Sequence, residues 1–240
     1  MSIPRSLGTI DLLLRDREVM LARIRAGTNL AAILKVMIAT IAVTMVIVGA
    51  ALGSYRGGVQ IAYAAVKLPL VLLGTAALSA PTLTAIGRAV GRRSNLVQDL
   101  ALVMSALAFG ALMLVAGTPL ILLGRAIDLT YHQMILMTVS MFGVAGVAAL
   151  HMIIRAVSIE NLRDGTRGWR TAVFGLVIVF VTIGGQLSWA LRPYLVRPRT
   201  PEVPFVRAIE GSLFDAITGA FQSARGVYSR DEAPLPEQRQ

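Results

Sequence analysis

Four ionisable side chains fall inside or at the edges of long apolar runs: Lys35, Lys67, Asp99 and Asp128. A charge held in hydrocarbon is costly, so such residues mark ion pathways, proton relays or paired contacts between helices. Their places along the runs allow two same-end pairs, Lys35 with Asp99 and Lys67 with Asp128. Each lies close enough to a run's end to reach the interface, because long side chains snorkel. The spacing therefore predicts structural pairs that orient helices, with a transport relay as the alternative. The two histidines, His132 and His151, are too few to build a histidine metal site. His151 reads as a histidine satisfied inside the bundle. Gln186, Ser188 and Trp189 close the last run, and Trp189 with Arg192 has the look of an interface anchor.

Other chemistry finds no footing. There is no cysteine, so disulfides, iron–sulfur clusters and thiolate-bound zinc are excluded. No glycine-rich phosphate loop, His-Glu-x-x-His or Gly-x-Ser-x-Gly occurs. No two carboxylates share an apolar run, and no helix carries the carboxylate–histidine set of a di-iron site. The expectation is no catalytic residue, no cofactor, no metal and no enzymatic activity.

The elements that must position the four charges are membrane helices. The chain has 240 residues, 55% of them hydrophobic and only 15% charged, with mean hydropathy +0.70. A soluble domain is about 25% charged. Five runs reach the roughly 20 residues a bilayer crossing needs. They are residues 31–52, 61–86, 96–123, 131–154 and 171–191. Pro69 and Pro81 predict a bend in the second. The fold class is all-α: a polytopic helical membrane protein of about five transmembrane helices with amphipathic helices at both termini. The first run follows a charged leader and is too long for a signal-peptide core, so it reads as a retained anchor.

The net charge is +10, from 23 basic and 13 acidic residues. Nucleic acid is not the expected partner, because the bases sit in short blocks between apolar runs. Arg5, Arg15, Arg17, Arg23 and Arg25 precede the first run. Arg56 alone follows it. Arg88, Arg92 and Arg93 come next, then Arg125, then Arg155, Arg163, Arg167 and Arg170. This alternation predicts a cytoplasmic N-terminus and an outside C-terminus, against the counter-signal of Arg192, Arg197, Arg199 and Arg207. The near-absence of lysine suggests a bacterial source and its inner membrane.

Three regions result: a cytoplasmic amphipathic leader at 1–29, the five-helix domain at 30–192, and an extracytoplasmic tail at 193–240. In the leader, Ile10, Leu13, Leu14, Leu21 and Ile24 share one helical face, which predicts an interfacial helix. In the tail, Val206, Ile209, Leu213, Phe214, Ile217 and Phe221 predict another at about 205–222. It would lie on lipid or on the protein's own loops. Small residues recur at four-residue spacing: Gly49, Gly53 and Gly57; Ala76 and Ala80; Ala106 and Gly110; Ala145 and Ala149. Such stripes let helices approach closely, by default within one chain.

Two stretches carry a resemblance. One is residues 57–74, with Gly57, Gly58, Tyr63, Lys67, Pro69 and Gly74, followed by Pro81. The other is residues 184–193, with Gly184, Gly185, Trp189, Arg192 and Pro193, followed by Pro204 and Phe205. Together they resemble bacterial integral membrane proteins similar to the YIP family, over about residues 30–214. The resemblance implies five membrane helices, a cytoplasmic N-terminus, and a part in membrane trafficking or organelle shape. It brings no catalytic residue. The leader lacks the acidic and aromatic motifs of eukaryotic members, so no GTPase partner follows. The expected function is a membrane-organising scaffold or complex subunit, with a small-solute or ion conduit as the alternative. The expected partners are the lipid bilayer, other membrane proteins and copies of the chain itself.

Overall fold

The computed structural model describes residues 5–93, 95–164, 169–191, 194–196 and 205. Every regular element among them is an α-helix. The chain divides into two units, Met1–Arg207 and Ala208–Gln240, and all described residues belong to the first. The elements are α1 (Arg5–Arg15), α2 (Arg17–Arg25), α3 (Leu30–Gly53), α4 (Gln60–Ala89), α5 (Leu96–Ala116), α6 (Thr118–Ala126), α7 (Tyr131–Asp164) and α8 (Trp169–Ala190). Five spans are long and apolar enough to cross a membrane: α3, α4, α5 continued by α6, most of α7, and most of α8. This is the architecture of a multi-pass helical membrane protein.

Two ends can be told apart by hydrogen bonds. At the leader end, Gln98 Nε2 at the start of α5 donates to the Arg25 carbonyl at 2.8 Å. Glu18 pairs with Arg155 of α7 at the same end. At the far end, the Tyr55 hydroxyl donates to the Leu129 carbonyl at 3.0 Å, tying the α3–α4 turn to the α6–α7 turn. Gln60 Nε2 reaches the Tyr194 carbonyl there at 3.4 Å. The Tyr194 phenol donates to the Ser188 carbonyl, and burial pushes its pKa up to about 12 despite a side-chain hydrogen bond with Ser188 that lowers it. It therefore stays a neutral donor throughout the physiological range.

α5 is the centre of the bundle. Residues 101–111 are buried without a break, so a helix with no polar face is enclosed on all sides. α3, α4 and α7 pack on it. Its start is fixed by a capping box, in which Asn95 accepts from the Gln98 backbone while the Gln98 side chain accepts from the Asn95 backbone.

Small residues set the closest approaches. A Cβ on Gly49 would overlap the Ala64 carbonyl and stand 2.7 Å from the Ala65 Cα. One on Gly53 would stand 2.5 Å from the Gln60 carbonyl oxygen. α3 and α4 therefore touch backbone to backbone. The stripes on α5 and α7 meet each other, a Cβ on Gly110 falling 3.1 Å from the Ala145 carbonyl and 3.5 Å from the Ala149 Cβ. Gly57 does not belong to the α3 stripe. It lies in the following turn at φ +84°, which favours glycine.

Three expectations change. The third run is one helix in the sequence reading, but α5 ends at Ala116 and α6 begins at Thr118. Pro119 has no N–H to offer the Val115 carbonyl, and Gly117 lies against the Met141 methyl, which would stand 2.5 Å from a Cβ there. The fourth run extends to Asp164 rather than stopping at 154, since Arg155 finds Glu18 beyond the apolar stretch. The leader is two helices, broken at Asp16 (φ −134°, ψ 63°), rather than one interfacial helix. Leu13, Met20, Leu21 and Ile24 are buried in the protein core while Leu14 is exposed. The leader's apolar face is thus spent on α3 and α5 and not offered to lipid. α4 runs from Gln60 to Ala89 as one helix through Pro69 and Pro81. The expected interfacial helix at about 205–222 lies outside the described residues except for Phe205.

Candidate functional site

The chemistry-bearing residues sort into three places. At the leader end, Asp99 sits in the first turn of α5, where the helix dipole favours a negative charge. Arg92 follows the C-terminus of α4, its backbone N–H closing on the Gly87 carbonyl at 2.8 Å. Arg92 Nη2 meets Asp99 Oδ1 at 3.1 Å, and both side chains are buried. The Thr84 hydroxyl donates to Asp99 Oδ2 at 2.7 Å. The guanidinium lies against Gly87, where a Cβ would come 3.1 Å from Nη1. Two donors, one from α4 and one from the loop that follows it, thus engage both oxygens of one buried carboxylate on α5. This arrangement clamps α4 to α5.

Asp99 is therefore paired, but not with Lys35. Lys35 is exposed on α3 and makes no ion pair among the described residues. The reason is register: Ile33 and Met37 turn inward, which rotates Lys35 outward. Arg92 stands in a loop, outside any apolar run, so depth in a run does not mark it. Its spacing of seven residues from Asp99, across a tight connection, was the available signal.

In the far half of the bundle, Lys67 is completely buried. This corrects the expectation that it reaches the interface. Lys67, Val71, Thr75 and Ser79 follow one another at four-residue steps, and all four are buried on α4. The Lys67 ammonium lies 5.1 Å from the centroid of the Phe205 ring, a cation–π arrangement. Phe205 in turn meets Tyr63 edge-on at 5.2 Å. The expected partner Asp128 is elsewhere. It sits exposed in the α6–α7 turn at φ +52°, not inside a membrane helix, and no ion pair joins it to Lys67. The break after α6 puts it there: Thr130 begins the cap of α7, its N–H and hydroxyl both donating to Gln133 Oε1 at 2.9 Å.

The third place is the outer surface. Trp189 is half-buried in the last turn of α8, and Arg192 lies outside the described residues. His151 is exposed rather than enclosed in the bundle. Arg17, which interrupts the leader's apolar face in sequence, stacks over Phe109 at 4.5 Å. No group of three His, Cys, Asp or Glu residues gathers in a metal-binding cluster among the described residues.

The fold defines a multi-pass helical membrane protein, in which the buried carboxylate of Asp99 links α5 to α4 and the loop after it. Compared with protein-family models, curated proteins and solved structures, the chain matches none.

Proposed function

We propose that this chain is a non-enzymatic membrane scaffold or subunit, one that assembles with other membrane proteins or with copies of itself. One observation carries the reading. The outward face of α7 presents Ser140, Gly143 and Gly146 exposed, and nothing lies within 4 Å of a Cβ placed on either glycine. Exposed Val139 and Val147 flank them. Such a smooth small-residue face lets a further helix approach closely, and none of the described helices does so. α8 supports the same reading. Only 6% of its span is buried, against 67% for the α5–α6 span, and Phe174, Ile178 and Val181 lie exposed along one side.

The arginine alternation favours the bacterial inner membrane with the N-terminus in the cytoplasm and the C-terminus outside. The YIP-like resemblance is carried with it as a proposal for the membrane-organising role. The test is the Gly143→Leu/Gly146→Leu variant, purified in mild detergent with mass spectrometry of what accompanies it. The wild type is expected to run as a complex, and the variant as a folded lone chain. A wild type already alone, or an unchanged complex in the variant, overturns the reading.

A small-solute or ion conduit is the second reading, favoured by the buried polar series Lys67, Thr75 and Ser79 on α4. It expects flux in liposomes that Lys67→Met abolishes while the protein remains folded. Absence of flux from the reconstituted wild type removes this reading.

A further inference from the structure

We propose that the cleft between the leader and the start of α3 binds the phosphate headgroup of an anionic phospholipid. The cleft has a volume of about 230 Å³ and is two-sided in its chemistry. Its polar wall is formed by Thr9, Arg23, Thr28 and Asn29, its apolar wall by Met20 and Ile33. The two apolar residues are almost fully buried, so that wall is a fixed surface against which a glycerol backbone and first methylenes can rest. Asn29 caps α3 in a left-handed conformation without lending its side chain to the helix, which leaves the amide on the polar wall.

Among the described residues the charge around the cleft has no acidic counterpart. Arg23 makes no ion pair among the described residues. Of the acids in the leader, Asp11 is taken by Arg15 and Glu18 by Arg155, and Asp16 stands two turns away at the α1–α2 break. Lys35 is the second cation. It lies three residues beyond Ala32, which lines the cleft, and so one turn deeper on the same face. Helical side chains lean toward the N-terminus, which carries the Lys35 stem toward the cleft and toward the surface of the bilayer. An exposed lysine one turn inside an apolar span, an arginine above it and an amphiphilic cleft between them match a phosphodiester at the interface. Arginine and lysine are the side chains that hold phosphate, one as a fork and the other as a point charge. Inorganic phosphate shares the charge but not the apolar wall, which favours the lipid. The inference is independent of whether the chain is a scaffold or a conduit.

The test is native mass spectrometry of the full chain released from detergent, with phosphatidylglycerol or phosphatidylcholine added. Phosphatidylglycerol is expected to be retained preferentially. Arg23→Gln and Lys35→Gln should each reduce that retention about fivefold. Arg23→Lys and Lys35→Arg should keep it. Ala32→Trp fills the cleft without touching a charge and should expel the lipid, with size-exclusion chromatography confirming the fold. Equal retention of both lipids by the wild type overturns the assignment. So does undiminished phosphatidylglycerol binding by a folded Arg23→Gln/Lys35→Gln variant. Displacement of the lipid by an equal concentration of inorganic phosphate assigns the cleft to the free anion instead and equally removes the lipid reading.

Discussion

Replacing Asp99 with leucine is expected to destabilise the protein by about 3–5 kcal/mol, the cost of stranding one member of a buried ion pair. The measurement is the thermal midpoint of detergent-solubilised protein, followed by loss of the monodisperse species. The sign rests on what each partner keeps. After Asp99→Leu, Arg92 loses its carboxylate in a setting where both side chains are at most 4% exposed. After Arg92→Leu, Asp99 still accepts from Thr84 and still sits at the positive end of the α5 dipole. The arginine change should therefore cost less than the aspartate change. Replacing both with leucine should recover most of the loss, because a well-packed apolar pair is often as stable as a buried ionic one. A double variant as unstable as Asp99→Leu would mean that the pair does more than clamp α4 to α5.

The second large effect belongs to the α3–α4 hairpin. Gly49→Leu is expected to lower stability by about 3 kcal/mol or more, the upper range for overpacking. The added atoms meet backbone, the Ala64 carbonyl and the Ala65 Cα, and backbone cannot swing aside as a flexible side chain can. The two helices must separate, and the separation is felt at Gly53 one turn further, where Gln60 and Ile61 are as close. Gly53→Leu should therefore resemble Gly49→Leu, and the two effects should combine less than additively, since one separation relieves both sites. Gly143→Leu is the control. A Cβ there meets open space, so the fold of the isolated chain should be unchanged. Wild-type stability in Gly49→Leu would show that the helices are not in backbone contact.

Much of this architecture is written in local chemistry. The five spans follow from apolar length, because a bilayer crossing needs a continuous run. The small-residue pairs at Gly49 and Gly53, and at Ala106 and Gly110 with Ala145 and Ala149, were visible as spacing, since helical periodicity puts residues four apart on one face. Apolar length alone does not show the α5–α6 break, because the run continues across it, although Pro119 carries a local signal in its missing donor.

What faced what was decided only in three dimensions. Lys35, Lys67, Asp99 and Asp128 are four similar marks in the sequence, yet the fold exposes Lys35, buries Lys67 completely, encloses Asp99 against Arg92 and leaves Asp128 in a turn. Depth along a helix can be counted from the sequence. Rotation about its axis is set by the neighbours that cover each face, and those neighbours are distant in the chain. The same physics reassigned the leader. Its apolar residues announce a face that must be covered, but lipid and protein satisfy an apolar face equally well, and only the packing of α1 and α2 on α3 and α5 selects protein.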